Sequence, residues 1–377
     1  MIAFPYISLV LIFFIRYYTS NCTPLYRKSE KLFIYFILFV FFGFRGYIFT
    51  DCFEYATFFE GVPNIKEIIN SHYLKYAFWE PGYVCYCGIL KLFIHKFYYF
   101  QIIDTTLDLI LLYKSLEYFE SNRSLNIIVF LAMSGMIAFI DLFRNIKAIL
   151  LFFYALRYVD EKKLIRFYLL CFLAFLFHKS AVFYFACYPL LRKQLTKRKY
   201  LVICIISIII ALFSKTFILV LNSRILGYLP PKIQDSISFY VLSNNQYTVG
   251  RFITFGVIEK LLTCGLIYLN FDKLFISKKD KLLIKVFCIY FSSYFICFGF
   301  NEISNRISML FIFSYWCLIP EIIKKQTKKN QYFYTICLLA YCVLKVGLYK
   351  QPVQKYENWL FNASTFSERL EIKNQYY

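Results

Sequence analysis

Apolar residues in this chain run in long unbroken blocks. The stretch LVICIISIIIALFSKTFILVL, residues 201–221, carries a single charge. A helix needs about 20 apolar residues to cross the hydrocarbon core of a bilayer, so this block predicts a transmembrane helix. Similar blocks predict spans near residues 1–17, 32–50, 97–113, 125–143, 146–158, 164–177, 180–191, 252–271, 283–300, 307–323 and 332–349. The pattern predicts an all-α, polytopic membrane helix bundle of about 12 transmembrane helices, one integral membrane domain over residues 1–377. Continuous blocks exclude a β-barrel, whose strands alternate with a period of two.

The polar segments set the expected topology. Lys and Arg cluster in short loops at about 16–31, 192–199, 277–285 and 324–330, including RKQLTKRK and KKQTKK. Basic loops stay cytoplasmic. This accounts for the formal charge of +21 without a nucleic-acid partner. An apolar piece at 82–94 would make the number of crossings between the first two basic loops odd. It is therefore expected to be short, interfacial or re-entrant. The outer face then carries both termini and two long loops, about 51–96 and 222–251. In the first loop, Ile65, Ile68, Ile69 and Tyr73 follow Pro63 at helical spacing and predict a short amphipathic helix. The first block lacks a basic leader region and a small-residue cleavage site, so it is expected to be kept as a helix. The tail, 350–377, is polar with an aromatic patch, and the pattern gives it no role.

Thirteen cysteines are scattered with no C-x-x-C pair, and the three histidines form no ligand cluster. These residues read as small buried hydrophobes and single polar groups. Neither a metal nor any other cofactor is expected.

Several charges stand at the ends of apolar blocks, where an unpaired charge is costly. They are Arg45, Asp51 and Glu54; Glu80; Asp141, Arg144 and Lys147; His178 and Lys179; and Glu302 with Arg306. The expected topology puts all five groups near the outer surface. Taken singly, each could be an ion pair anchoring a helix end. Taken together, they suggest a site. The planar fork of arginine suits phosphate oxygens, and a nearby carboxylate can accept a hydroxyl proton.

The ordered set Arg45-Gly46, Asp51-x-x-x-Tyr55, Glu80-x-Gly82-Tyr83, Arg144, Phe177-His178-x-Ser180-Ala181 and Asn305-Arg306, with a helix ending at Pro320, resembles the EpsG-like branch of Wzy-type polysaccharide polymerases. Thr50 departs from that pattern, which usually has glycine before the aspartate. The resemblance implies a fold like that of lipid-dependent, GT-C-like glycosyltransferases. It also implies a glycosyltransferase in the bacterial inner membrane, its active site facing the periplasm, joining oligosaccharide repeat units into O-antigen, capsule or exopolysaccharide. Donor and acceptor would be undecaprenyl-pyrophosphate-linked glycans, with a chain-length regulator as a further partner. On this reading Asp51, Glu80 and His178 are catalytic candidates. Arg45, Arg144, Arg306, Lys147 and Lys179 are pyrophosphate ligands, and Tyr55, Tyr83 and Glu302 contact sugar. Two rivals are a flippase for the same lipid-linked unit and an O-antigen ligase. A flippase needs charges along a path to both faces, whereas the ligase shares the chemistry.

Overall fold

The computed structural model describes residues 2–22, 24–119, 123–214, 254–361 and 363–376, without side chains at 20–29 and 123. The expected outer loop at 222–251 lies outside the described residues. Helices dominate, and among the described residues there is no strand beyond one isolated bridge, Arg45 with Asn358. The packing divides the chain into two compact units, Met1–Ala186 with Tyr315–Tyr377, and Cys187–Ser314.

The first unit begins with α1 (Phe4–Cys22), α2 (Pro24–Gly43), α3 (Cys52–Gly61), α4 (Ile65–Asn70), α5 (Tyr73–Tyr76) and α6 (Pro81–Leu90). It continues through α7 (Phe97–Phe119), α8 (Arg123–Phe130), α9 (Met136–Asp141), α10 (Phe143–Asp160) and α11 (Leu164–Phe177). The second unit holds α12 (Cys187–Arg192), α13 (Lys197–Leu212), α14 (Phe255–Leu269), α15 (Phe271–Leu274), α16 (Lys278–Ile296) and α17 (Asn301–Met309). Helix α18 (Phe313–Lys324) leads back to the first unit, followed by α19 (Lys328–Val346) and α20 (Phe366–Tyr376).

Ser124–Asp141, with a mean hydropathy of 1.9, is long and apolar enough to cross a membrane. It is broken at Leu131–Gly135, where Ser134 has φ 62°. Non-helical backbone at membrane depth must be satisfied by protein. Here the Trp316 indole N–H donates to the Met133 carbonyl at 3.0 Å.

Several boundaries differ from the sequence expectation, among them the 307–323 block, which is divided between α17 and α18. Helices α1 and α2 run through nearly all of 16–31, and α2 stops at Gly43 instead of near 50. The last carbonyls of a helix need outside donors. Gln101 supplies them to the carbonyls of Gly43 at 3.1 Å and Arg45 at 2.7 Å. The 180–191 block is a tight 3₁₀ helix, Lys179–Ala186, running into α12. It folds back on α11, with Phe185 over Tyr168 at 6.1 Å, and Tyr184 stacks on Phe152 of α10 at 3.9 Å. The turn of this hairpin is the extended residue His178.

Helix α6 has ten residues, about 15 Å at 1.5 Å per residue, half of a hydrocarbon core of about 30 Å. The helix expected after Pro63 is α4. Asn64 caps it, accepting from the N–H groups of Lys66 and Glu67 at 3.0 and 3.1 Å. Ile68 is buried, whereas Ile69 faces outward.

Candidate functional site

The site grows from three short pieces of chain that converge in the first unit. The first is the start of α3. Asp51 precedes this helix but does not cap it with its own side chain. Asp141, at the end of α9, performs the capping instead. Its Oδ1 accepts from the N–H of Asp51 at 2.7 Å and of Cys52 at 3.2 Å. A carboxylate at a helix N-terminus is favourable. The carboxylate of Asp51 is thereby left at the surface, where Thr50 donates to it at 3.4 Å. The Thr50 hydroxyl also lies 3.3 Å from Asp141 Oδ2, so the one proton of this residue, which departs from the family pattern, can go to either aspartate. Tyr55 follows one turn later, on the same helix face as Asp51.

The second piece is Trp79-Glu80, immediately before α6. Pro81 occupies the first position of the helix, where its missing N–H costs nothing. A Cβ added at Gly82 would lie 2.6 Å from Leu176 Cβ and 2.7 Å from the Leu176 carbonyl oxygen. Glycine therefore lets α6 approach the end of α11, which brings Glu80 to the hairpin turn. The Lys179 N–H donates to Glu80 Oε1 at 3.3 Å, and His178 Nδ1 lies 3.8 Å from the same oxygen.

The third piece is the first turn of α10. Arg144 pairs with Glu80 Oε2. Its Nε donates to the Tyr55 hydroxyl at 3.4 Å, and its guanidinium lies over the Trp79 ring at 4.2 Å. Among the described residues Nη2 meets no acceptor, and 22% of the side chain is exposed. Burial alone would raise the Glu80 carboxyl. The Arg144 charge, with hydrogen bonds from Arg144 and from backbone N–H groups, outweighs burial and holds it below the ordinary value. Glu80 is thus an ionised anchor for Arg144.

Tyr55, Glu80, Arg144 and His178, which meet here, are four members of the ordered set that carries the sequence resemblance. The profile of the EpsG family matches residues 31–358, most of the chain. The chain belongs to the EpsG family. This is a family of Wzy-like polysaccharide polymerases, and it makes the chain an all-α membrane protein of polysaccharide biosynthesis. No curated protein and no solved structure matches it.

Within this EpsG-family chain, Asp51, Tyr55, Glu80, Arg144, His178 and Lys179 fall in one neighbourhood. Others differ from their expected roles. Arg45 is 1% exposed and is no surface ligand. Its guanidinium donates to the Phe42 carbonyl and, at 3.1 Å, to the Ile140 carbonyl, closing the C-terminal ends of α2 and α9. A cation is favourable there. Lys147 is buried between Asp104 at 2.6 Å and Asp108 at 3.1 Å on α7, instead of facing a ligand. Tyr83 is wholly buried, its ring 5.5 Å from that of Trp79, so it walls the site without reaching sugar. Tyr55 is 3% exposed and meets Arg144 through its hydroxyl. Glu302 and Arg306 belong to the second unit, where they pair at 3.5 Å across one helical turn.

Sequence reasoning missed Asp104, Asp108, Tyr86 and the role of Trp79. Two carboxylates four residues apart inside the apolar run of α7 were the available signal. The Tyr86 hydroxyl donates to Asp104 at 2.9 Å, so this buried network joins α6, α7 and α10 below Arg144.

Proposed function

We propose that the chain polymerises a bacterial surface polysaccharide from undecaprenyl-pyrophosphate-linked oligosaccharide units at the outer face of the inner membrane. Arg144 carries this reading. It is oriented by hydrogen bonds to Glu80 and Tyr55 and by the Trp79 ring, its Nη2 meets no acceptor among the described residues, and 22% of its side chain is exposed. Such a pre-oriented cation suits a diphosphate leaving group, because it stabilises charge that grows as the bond breaks.

In the proposed reaction, Asp51 accepts the proton of the acceptor hydroxyl. The hydroxyl oxygen attacks the anomeric carbon of the donor sugar, and the bond from that carbon to the pyrophosphate oxygen breaks. Arg144 receives the pyrophosphate, with the exposed Lys179 ammonium and His178 at the hairpin turn as further ligands. One displacement inverts the anomeric centre. Asp51 is favoured over Glu80 as the base, because the pairing with Arg144 lowers the Glu80 pKa and makes it a weaker proton acceptor, whereas the carboxylate of Asp51 is at the surface.

The test is surface-glycan length on a gel, in a deletion strain carrying wild type or Arg144→Ala at matched membrane levels. Wild type should give a ladder and the variant single repeat units. A normal ladder from Arg144→Ala would refute the assignment. A deletion strain lacking even single surface units would favour a flippase or ligase.

A further inference from the structure

The family match stops at residue 358, inside a tail to which the residue pattern gives no role. In the structure this tail closes on residues 44–54. Residues 44–51 are not helical, since α2 ends at Gly43 and α3 begins at Cys52. Phe49 has φ 65°, which a bulky aromatic adopts only when its surroundings enforce it. The backbone groups of such a segment need partners outside it, and the tail supplies them. Gly46 N–H donates to the Glu357 carbonyl at 2.8 Å, Phe49 N–H to Val353 at 2.8 Å, and Trp359 N–H to Phe44 at 2.7 Å. A Cβ at Gly46 would lie 3.2 Å from the side chains of both Glu357 and Ala363, so glycine permits the close approach.

Arg369 fastens the two segments together. It is 1% exposed. Its Nε donates to the Tyr47 carbonyl at 2.8 Å, and its Nη2 to Val353 at 2.8 Å. Longer contacts of 3.4 Å reach the Pro352 and Lys355 carbonyls. The arginine fork, with five N–H donors in one plane, reaches several carbonyls in different directions at once. On the same helix, Phe366 meets the rings of Tyr47 at 5.2 Å and Phe53 at 5.5 Å, and Lys373 pairs with Glu54 at 3.3 Å. The tail thus grips the residues on either side of Asp51.

We propose that Arg369 is a positioning residue of the polymerase site, fixing the 44–54 segment so that Asp51 is presented to the acceptor hydroxyl; this rests on the function proposed above. Arg144, Glu80 and His178 hold one another through α10, the start of α6 and the hairpin turn. Loosening the tail therefore displaces Asp51, the proton-accepting end of the site, while the Glu80 pair and the Trp79 ring keep Arg144 at the pyrophosphate end.

The test uses full-length protein in lipid nanodiscs, as wild type, Arg369→Lys, Arg369→Ala and Phe366→Ala. One readout is steady-state polymerisation of a lipid-pyrophosphate-linked oligosaccharide. The other is amide hydrogen exchange at residues 44–58. Arg369→Ala should lower kcat about ten- to a hundredfold, as expected for a misplacement of about 1 Å, with little change in donor KM. Exchange at 44–58 should quicken while α10 stays protected. Arg369→Lys should recover part of both. Wild-type exchange with wild-type kcat would overturn the proposal, and so would faster exchange with unchanged kcat. If Arg369→Ala does not fold, the milder Phe366→Ala must show the same split; unchanged behaviour there overturns it too. If exchange opens but wild type itself makes no polymer, the proposed function fails while the hold of the tail on 44–54 stands.

Discussion

The guanidinium carbon of Arg144 lies 4.2 Å from the ring centre of Trp79, while the next residue, Glu80, pairs with the same guanidinium through its carboxylate. Two consecutive residues thus hold one arginine, by its face and by its edge. A cation over an indole contributes about 0.5–2 kcal/mol. Trp79→Ala should therefore raise the donor KM several-fold while leaving a folded protein, and Trp79→Phe should recover part of the loss. Steady-state kinetics on purified protein decides it, and an unchanged KM would remove Trp79 from the site.

Glu80 makes a pH prediction. Its pKa is depressed in the folded state. Its stabilising contribution is therefore complete above the unfolded value of about 4.3 and is lost as pH falls through the lower folded value. Thermal melts of wild type and Glu80→Gln should differ by a constant amount at neutral pH and converge only in that acid window. Curves that converge between neutrality and pH 5 would contradict the depressed pKa.

Gly82 tests the approach of α6 to the hairpin. A methyl group there meets Leu176 backbone and Cβ at under 3 Å, and overpacking costs about 1–3 kcal/mol. Gly82→Ala should lower the melting temperature and also weaken donor binding, because Glu80 moves away from His178 and Lys179. Gly61→Ala, where nothing lies within 4 Å of the added carbon, is the control.

The buried Lys147 network makes an unequal pair of predictions. Lys147→Met leaves two buried carboxylates without their cation, a loss of about 3–5 kcal/mol. Folded protein in the membrane should fall sharply. The neutral combination Asp104→Asn, Asp108→Asn, Lys147→Met should restore folded protein, as judged by gel-filtration profile after extraction. Failure of the triple variant to fold would mean the network does more than balance charge.

Arg45 separates a structural cation from a ligand. Arg45→Ala removes donors from the Phe42 and Ile140 carbonyls, and each buried acceptor left unmet costs about 1–3 kcal/mol. Melting temperature should drop, with donor KM unchanged in the protein that remains folded. A selective rise in donor KM would return Arg45 to the pyrophosphate site.

The residue pattern alone determined that the chain is helical and membrane-embedded, because uninterrupted apolar blocks have few other uses. It also located Arg144, Glu80, His178 and Asp51 as charges too costly to stand there without purpose, and their order matched the EpsG family. The tertiary structure decided which charges meet. Arg45 and Arg144 look alike as arginines at the ends of apolar blocks. One closes helix ends in the interior and the other keeps an exposed edge, a difference set by Gln101, Ile140 and Trp79, all distant or unremarked in sequence. Lys147 lies three residues from Arg144 but turns inward, because Asp104 and Asp108 wait on α7. The tail was silent in sequence because its contribution is made through backbone hydrogen bonds and one buried arginine, and carbonyl partners leave no mark in residue identity.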